Sequence, residues 1–361
     1  MPVPLLDLKP QYAAIRDEVL RVTEEVYASQ HFILGKKVEA FERDFAAYCQ
    51  SKHAIGLSSG TDALLIALMV LGVGPGDEVI VPAYSFFATA GVVARLGATP
   101  VFVDIRLDDY NIDVSQIEKK ITKKTKAVMP VHLFGQCADM SRMDFGVPVV
   151  EDAAQAVGAE FDGRRAGSLG LIGCFSFFPS KNLGAYGDAG AVTVQDDSLA
   201  EKLIDFRVHG MRPKYYHHYV GGNFRIDALQ AAILHVKLRY LDQWTEGRRR
   251  NAAIYKELFG DDPRIALPQE LPRRRHVFNQ YVIRFKEGRD RVMEHLKKAG
   301  IGCEVYYPLT LPQQKCFAHL KAEPFPNSEA AAAQTLAIPV YPELTREQMS
   351  EVVREIRRAL D

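Results

Sequence analysis

Short apolar runs alternate with longer helical patterns along most of the chain. From about Glu24 onward, the runs with the length and composition of buried strands are HAIGL, DEVIVP, TPVFV, KAVMP, PVVE, GCFSF and GAVTV. Between them lie segments with helical spacing, such as TDALLIALMVLG and TAGVVARLG. This alternation predicts an α/β fold with a mainly parallel sheet, in which ligands bind at the carboxyl ends of the strands.

The helical patterns also divide the chain. NIDVSQIEKKI predicts a helix with Asp113 as N-cap, and the spacing from about Ile226 to Arg250 predicts one long helix. After it come prolines, a basic PRRRH, the strand NQYVIRF, and the helices RDRVMEHLKKAG and REQMSEVVREIRRAL. We therefore expect an N-terminal arm and helix over 1–23, a large domain over 24–246, and a smaller α+β domain over 247–361, against which the arm folds back.

Composition excludes several classes of function. The 361 residues carry 45 Lys plus Arg and 45 Asp plus Glu, so no net charge favours nucleic acid or an anionic membrane. The longest apolar run, 63–73, is far shorter than the roughly 20 residues that span a bilayer, and the N-terminus lacks the pattern of a signal peptide. Neither the histidines nor the five cysteines have metal-ligand spacing, and an odd cysteine count without a C-x-x-C pair favours a reducing cytoplasm.

The stretch SSGTDAL places polar and small residues where a strand gives way to a helix. Gly60 and Thr61 open that helix, whose free N–H groups would suit a phosphate. An ordinary capped helix is the simpler interpretation of this stretch taken alone.

The stretch VVEDAAQAVGA ends a buried strand in two carboxylates. Asp152 would be costly to bury without a cation or a donor, and a protonated pyridine nitrogen is one suitable partner. Gln155 lies three residues on and would reach the same ring. The alternative is a helix N-cap aspartate.

The stretch FSFFPSKNLGAYGDAG surrounds a single lysine with aromatic residues and glycines. In an apolar pocket the pKa of Lys181 falls, which frees its amine to attack an aldehyde. Ser176 and Ser180 flank it as phosphate donors. The alternative is a surface-loop lysine, which is the usual place for lysine.

A phosphate cradle, a carboxylate for a ring nitrogen and a nucleophilic lysine together describe a pyridoxal phosphate (PLP) site. In these features the chain resembles the nucleotide-sugar aminotransferases of the DegT/StrS type, within the fold-type I, aspartate-aminotransferase-like PLP enzymes. The stretches that carry the resemblance are SSGTDAL, GDEVIVPAYSFFATA, PVHLFGQ, EDAAQAVGA, FSFFPSKNLGAYGDAG, VGGNFRIDALQAAIL and IPVYPELT. It implies a large domain with a mainly parallel seven-stranded sheet flanked by helices, and a smaller C-terminal α+β domain.

The resemblance also implies a role for each candidate residue. Lys181 would hold the cofactor covalently and then move a proton to and from the substrate carbon, as the cofactor cycles between PLP and pyridoxamine phosphate. Asp152 would hold the ring nitrogen and Gln155 the ring hydroxyl. Further cofactor contacts would come from Gly60, Thr61 and Ser176 at the phosphate, Phe86 (with Tyr84 as the competing choice) at the ring face, and Asn223 from the neighbouring subunit of a homodimer.

The implied reaction moves an amino group from L-glutamate to a keto group of a nucleotide-linked hexose, for amino-sugar and surface polysaccharide (lipopolysaccharide) synthesis. The segments RVHGMRPKYYHHYVGGNFRIDALQAAILHVKL and FPNSEAAAAQTLAIPVYPELT resemble those of enzymes acting on 3-keto sugars, so a 3-keto sugar is preferred to a 4-keto one. Tyr306 and Tyr307 stand where many relatives have His-Tyr, and with Arg225 they are the substrate candidates.

Two other functions stay open on the sequence. A sugar dehydratase of the same fold is disfavoured, because such enzymes lack the lysine that stands here at Lys181. A catalytically idle PLP-binding sensory protein would usually lack a site residue or carry a DNA-binding appendage, and neither is visible.

Overall fold

The helices and strands follow the predicted alternation. A computed structural model describes residues 2–320 and 323–361. The α-helices are α1 (Lys9–Ser29), α2 (Lys36–Tyr48), α3 (Gly60–Val70), α4 (Ala88–Arg95), α5 (Asp197–Arg207), α6 (Ala228–Leu238), α7 (Leu241–Phe259), α8 (Arg289–Lys298), α9 (Pro326–Gln334) and α10 (Arg346–Leu360). The strands are β1 (His53–Leu57), β2 (Glu78–Pro82), β3 (Thr99–Val103), β4 (Thr125–Val128), β5 (Val150–Asp152), β6 (Glu160–Phe161), β7 (Arg164–Arg165), β8 (Ile172–Ser176), β9 (Gly190–Val194), β10 (Ile265–Ala266), β11 (Arg274–Arg275), β12 (Tyr281–Phe285) and β13 (Thr335–Ile338).

Two hydrogen-bonded groups of strands join into one large sheet. The groups have the orders β1-β9-β8-β5 and β3-β2-β4, and parallel bridges between Val128 and Val149 and between Val131 and Asp152 link them. β9 runs antiparallel to both of its neighbours, whereas the other pairings are parallel. The predicted mainly parallel seven-stranded sheet is therefore confirmed, and the ends of β5 and β8 lie side by side at its carboxyl edge.

Helix α3 packs into the core against this sheet. Its residues 63–68 are all buried, and they contact apolar residues of β1, β5, β8 and β9. A helix that is apolar on all sides needs such an enclosed position. This packing fixes the N-terminus of α3 next to the end of β8, because a side-chain carbon at Gly60 would come 2.5 Å from Cβ of Ser176.

Two predicted helices differ from the structure. The predicted helix over Ile226–Arg250 is two helices, α6 and α7, separated at Arg239–Tyr240. Both bury apolar faces, so the helical spacing continues across the break and hides it. The segment after Asp113 forms only 3₁₀ turns at Val114–Gln116 and Glu118–Lys120, since so short a segment gains few helical hydrogen bonds. Asp113 does cap the first turn, by accepting from the Ser115 N–H at 3.1 Å.

The predicted domain boundaries at residues 23 and 246 fall inside α1 and α7, which are continuous helices. The division into three parts, with its boundaries, stays a prediction. Beyond α7 a separate antiparallel sheet, β10-β12-β13, packs with α8 and α10 around its own apolar cluster. The N-terminal arm folds back onto this part: the Val3 N–H donates to the Gly300 carbonyl at 3.0 Å, and the Gly302 N–H donates to Val3 at 2.7 Å.

Over residues 2–320 and 323–361, the structure contains no helix long and apolar enough to cross a membrane.

Candidate active site

A cavity of about 460 Å³ opens at the carboxyl edge of the large sheet. Residues from the ends of β2, β5 and β8, from the start of α3 and from the segment before α9 line it. Nine of the predicted site residues meet here: Gly60, Thr61, Phe86, Asp152, Gln155, Ser176, Lys181, Tyr306 and Tyr307. The other two, Asn223 and Arg225, line a neighbouring cleft of about 330 Å³.

The start of α3 forms one end of this cavity. Ser59 caps the helix: its Oγ accepts from the Asp62 N–H at 3.0 Å, and its carbonyl accepts from the Ala63 N–H at 3.0 Å. The N–H groups of Gly60 and Thr61 have no partner among the described residues and stand at the positive end of the helix dipole. With Ser176 alongside, this corner has the donors that a phosphate needs.

Asp152 ends β5 with a carboxylate that is only 4% exposed. The carboxylate accepts from the Thr89 hydroxyl at 2.8 Å and from the Ala154 N–H at 3.2 Å. Among the described residues, no lysine, arginine or histidine side chain pairs with it. Burial raises the pKa of Asp152, and the Thr89 hydrogen bond and the nearby Lys181 charge lower it in part. A buried carboxylate with spare lone pairs and no cation is poised for a positively charged partner in the cavity.

Thr89, which the sequence did not single out, connects Asp152 to a second hydroxyl. Ser85 lies 3.0 Å from the Thr89 oxygen, and both side chains are buried. Because an ionised carboxylate only accepts, Thr89 must donate to Asp152, and Ser85 then donates to Thr89. This chain of hydroxyls favours the ionised form of Asp152.

Lys181 lies in the segment between β8 and β9 and projects its amine into the cavity. Desolvation lowers its pKa to about 8, while the negative charge of Asp152 acts in the opposite direction. A substantial fraction of the amine is therefore neutral near pH 8 and available as a nucleophile.

Phe86 and Tyr84, the two alternatives for the ring face, have different positions. Tyr84 is fully buried, its hydroxyl donates to the Tyr306 carbonyl, and it accepts from the Tyr307 N–H at 2.8 Å. Phe86 is 55% exposed and lines the cavity with its ring 6.0 Å from that of Tyr307. Phe86 thus has a free ring face, whereas Tyr84 holds the Tyr306–Tyr307 segment in place.

Gln155 is engaged at both ends of its carboxamide. Its Oε1 accepts from the Phe134 N–H at 2.7 Å, and its Nε2 donates to the Tyr307 hydroxyl at 3.2 Å. One hydrogen on Nε2 remains for a ligand. Burial raises the pKa of Tyr307 far above its usual value, so this hydroxyl stays neutral.

Asn223 and Arg225 lie in the neighbouring cleft, which shares Asp188 with the cavity. Asn223 is exposed, and the Nε of Arg225 is buried without a partner among the described residues. Within one chain, neither residue lines the cavity that holds Lys181.

Glu151 and His132 are buried outside the cavity. The Glu151 carboxylate accepts from the N–H groups of Gly167, Leu169 and Gly170 at 2.7–2.8 Å and lies 2.9 Å from Nε2 of His132. Nδ1 of His132 accepts from the Ala138 N–H at 3.1 Å, which places the imidazole hydrogen on Nε2. The hydrogen-bonding groups of Glu151 and His132 are thus paired within the protein. Nowhere in the described parts of the chain do three or more His, Cys, Asp or Glu side chains gather as metal ligands would.

The cavity residues fit pyridoxal phosphate on observations of this chain alone. The free N–H groups at Gly60 and Thr61 suit its phosphate, the cation-free Asp152 carboxylate suits its ring nitrogen, and the amine of Lys181 suits its aldehyde. These three features are independent, and each leaves a group unpaired that one ligand would pair.

Known proteins are similar to this chain in sequence and in fold. Residues 13–357 match the DegT/DnrJ/EryC1/StrS aminotransferase family. A relative from Geobacillus stearothermophilus named "pleiotropic regulatory protein" is 51% identical, over 99% of this chain and 98% of its own length. A UDP-N-acetyl-3-dehydro-alpha-D-glucosamine 3-aminotransferase from Acidithiobacillus ferrooxidans is 44% identical, over 99% of this chain and 98% of its own.

Solved structures agree with these matches. DesV of S. venezuelae superposes with a TM-score of 0.95 at 41% identity, covering 99% of this chain and 98% of its own. NtdA of Bacillus subtilis, solved with the cofactor pyridoxamine phosphate bound, has a TM-score of 0.89 at 34% identity, covering 95% of this chain and 81% of its own. The predicted fold class and the predicted cofactor are thereby confirmed.

The charge of Asp152 is expected to keep the pKa of the Lys181 amine higher than desolvation alone would make it. In the apoprotein, acetylation of Lys181 should increase with pH around a midpoint near 8. Asp152→Asn removes a negative charge that favours the ammonium form, so the midpoint should move to lower pH. Competitive acetylation followed by peptide mass spectrometry measures the midpoint. Asp188→Asn, which removes another carboxylate at the cavity wall, is the matched control and should leave it in place.

The Thr89 hydroxyl is expected to stabilise the buried Asp152 charge. At neutral pH, Thr89→Val should lower the unfolding free energy of the apoprotein by about 1.5–3 kcal/mol, because a hydrogen bond to a charged group is lost. The loss should shrink at acidic pH, since protonation removes the charge that Thr89 stabilises. Urea unfolding at the two pH values measures it. Thr89→Ser keeps the hydroxyl and should resemble wild type, and an equal loss at both pH values would show that only packing changed.

Proposed function

This chain belongs to the DegT/DnrJ/EryC1/StrS aminotransferase family, and we propose that it moves an amino group from L-glutamate to the keto group of a nucleotide-linked hexose, with the ketone at carbon 3. It is an aminotransferase, and pyridoxal phosphate is its cofactor. The observation that carries the proposal is the meeting of Lys181, Asp152 and the start of α3 around one cavity. A protein that only bound the cofactor, without catalysing a reaction, would not require a lysine with a lowered pKa.

Pyridoxal phosphate supplies an aldehyde that bonds to amines and a ring that withdraws electrons when its nitrogen is protonated. The chain's own residues do the rest. Asp152, whose carboxylate is buried without a cation, would hold the ring nitrogen and keep it protonated. Gly60, Thr61 and Ser176 would bind the phosphate, and Phe86 would pack on the ring.

Lys181 has two tasks in the proposed reaction. Its neutral amine would hold the cofactor through the aldehyde, and as a free amine it would carry a proton to or from the substrate carbon. A pKa of about 8 suits both, because the amine gains and loses a proton near neutral pH. Gln155 would donate the remaining hydrogen on its Nε2 to the ring hydroxyl.

The preference for a 3-keto sugar has two supports. The segments noted in the sequence resemble those of 3-keto enzymes, and the Acidithiobacillus relative is named for a 3-dehydro sugar. Tyr306 and Tyr307 line the cavity, and a tyrosine hydroxyl donates a hydrogen bond to a sugar without adding charge. A 4-keto nucleotide sugar is the alternative substrate.

A regulatory function is the second candidate, because the Geobacillus relative is named as a regulatory protein. Against it stands the intact set of cofactor residues in this chain. An idle cofactor-binding protein would not need the desolvated Lys181.

A homodimer is proposed because the cavity lacks Asn223 of its own chain. One exposed apolar side chain, a type that favours burial against a partner, lines the otherwise polar cleft that holds Asn223. Ile33 lines that cleft and is 54% exposed, while Phe32 next to it accepts from the Ala228 N–H at 2.9 Å. A second subunit on this surface would bring its Asn223 and Arg225 to the phosphate.

The five cysteines are free, in keeping with the predicted cytoplasmic location.

A panel of UDP- and dTDP-linked 3-keto and 4-keto sugars, with glutamate as donor, tests the substrate. We expect turnover with 3-keto sugars, measured as 2-oxoglutarate released, and loss of turnover in Lys181→Ala. Because ketosugars are unstable, the reverse reaction from the amino sugars is a parallel assay. Turnover restricted to 4-amino sugars would replace the 3-keto assignment, and cofactor binding without turnover of any sugar would favour the regulatory function.

The shared site has its own test, in which two impaired variants are mixed. Lys181→Ala and Asn223→Ala subunits, reassorted in equal amounts, form mixed dimers that each contain one site with both residues intact, so about a quarter of wild-type activity is expected. Activity equal to the average of the two separate variants would place Asn223 and Lys181 in the same subunit's site. Reassortment is confirmed by differential tags.

A further inference from the structure

Helix α6 presents two polar side chains to the segment that carries Lys181. We call residues 177–189, between β8 and β9, the lysine loop. Nζ of Lys237 donates to the Gly184 carbonyl. Gln230 accepts from the Tyr186 N–H at 2.8 Å and donates to the Tyr186 carbonyl at 3.4 Å. Gln230 and Lys237 are seven positions apart and so share one face of the helix.

Lys237 is an unusual lysine because it is buried without an acidic partner. It is 2% exposed, and no carboxylate of the described residues forms an ion pair with it. The rings of Tyr186 and Trp244 lie 5.0 and 5.9 Å from Nζ, which only partly offsets the desolvation of an ammonium. Burial lowers its pKa to about 8. Stability of the fold alone does not explain a lysine here, since an apolar side chain would avoid this cost.

The lysine loop explains what Lys237 does. The loop contains no helix or strand, and its internal hydrogen bonds include Ala185 N–H to the Phe177 carbonyl at 2.7 Å and Lys181 N–H to the Phe178 carbonyl at 2.8 Å. Gly184 is buried and so tightly placed that a side chain there would collide with the Pro179 carbonyl. Its own carbonyl is also buried, and a buried carbonyl without a donor is costly. Lys237 supplies that donor three residues from Lys181.

We propose that Lys237, together with Gln230, is a positioning residue that holds the lysine loop so that the Lys181 amine stays in the desolvated cavity. The proposal rests on the function proposed for Lys181. Neither Lys237 nor Gln230 lines the cavity, so both act through the loop backbone. Because α6 follows Asn223 and Arg225 along the chain, the same helix connects the lysine loop to the cleft beside the cavity.

Lys237→Met keeps an unbranched side chain, one heavy atom shorter, and removes the donor. Without the Gly184 contact we expect Lys181 to become more solvated, so the midpoint for its acetylation in the apoprotein should rise from about 8 toward that of an ordinary lysine. The dissociation constant for pyridoxal phosphate, from its visible absorbance, should increase about tenfold. Peptide mass spectrometry separates labelling at Lys181 from other lysines.

Lys202→Met is the matched control, because Lys202 also donates to a backbone carbonyl, that of Val70 at 2.7 Å, and lies near a tyrosine ring. It should leave the Lys181 midpoint and the dissociation constant at wild-type values. Gln230→Leu should change both quantities in the same direction as Lys237→Met, by a smaller factor, and it decides the matter if Lys237→Met does not fold. Folded variants at position 237 or 230 that match wild type in both quantities would overturn the proposal.

Failure of the underlying function gives a different result. Borohydride reduction of the wild-type holoenzyme should attach the cofactor to the peptide containing Lys181. Attachment elsewhere would refute the role of Lys181 itself, whereas attachment at Lys181 with unchanged variants would refute only the role of Lys237.

Discussion

The site depends on a carboxylate that is buried without a cation. Asp152 is held at the end of β5 by parallel pairing on both sides, with β8 through residues 150–152 and with the segment after β4 through Val131. Keeping a charge there is expensive, and two hydrogen bonds offset only part of the cost. The cavity around it therefore favours a cationic ligand group, and the remaining features of the site are arranged around that need.

Glu151, the residue before Asp152, shows that burial alone does not leave a carboxylate available to a ligand. Glu151 precedes it on the same strand and is fully buried, yet it receives three backbone hydrogen bonds and one from His132. Successive residues of a strand point to opposite faces of the sheet. One face thus holds a carboxylate whose hydrogen bonds are satisfied by the protein, and the other holds one left partly unpaired. That difference separates a carboxylate satisfied within the protein from one available to a ligand in the cavity.

Much of the site follows from the sequence because its parts are local. Lys181, Asp152 and the start of α3 each lie where a short apolar run ends, and the parallel sheet brings such ends to one edge. Thr89 and Lys237 are different, since they act on Asp152 and Gly184 across 63 and 53 residues of chain. A threonine and a lysine within two mostly buried helices give no local sign of such contacts. The break between α6 and α7 was hidden for a related reason, because both helices bury apolar faces.

The two lowered lysine pKa values show how the fold uses desolvation in two ways. Lys181 and Lys237 both titrate near 8, but Lys181 faces the cavity and the charge of Asp152, whereas Lys237 faces aromatic rings and a carbonyl. Lys181 lines the cavity that also contains Asp152 and the start of α3, and Lys237 does not line that cavity. The second remains beneath the loop, where its hydrogen bond stabilises a backbone that has no regular structure. A reactive amine on an irregular loop needs such a support, because loops held only by their own hydrogen bonds move more than strands do.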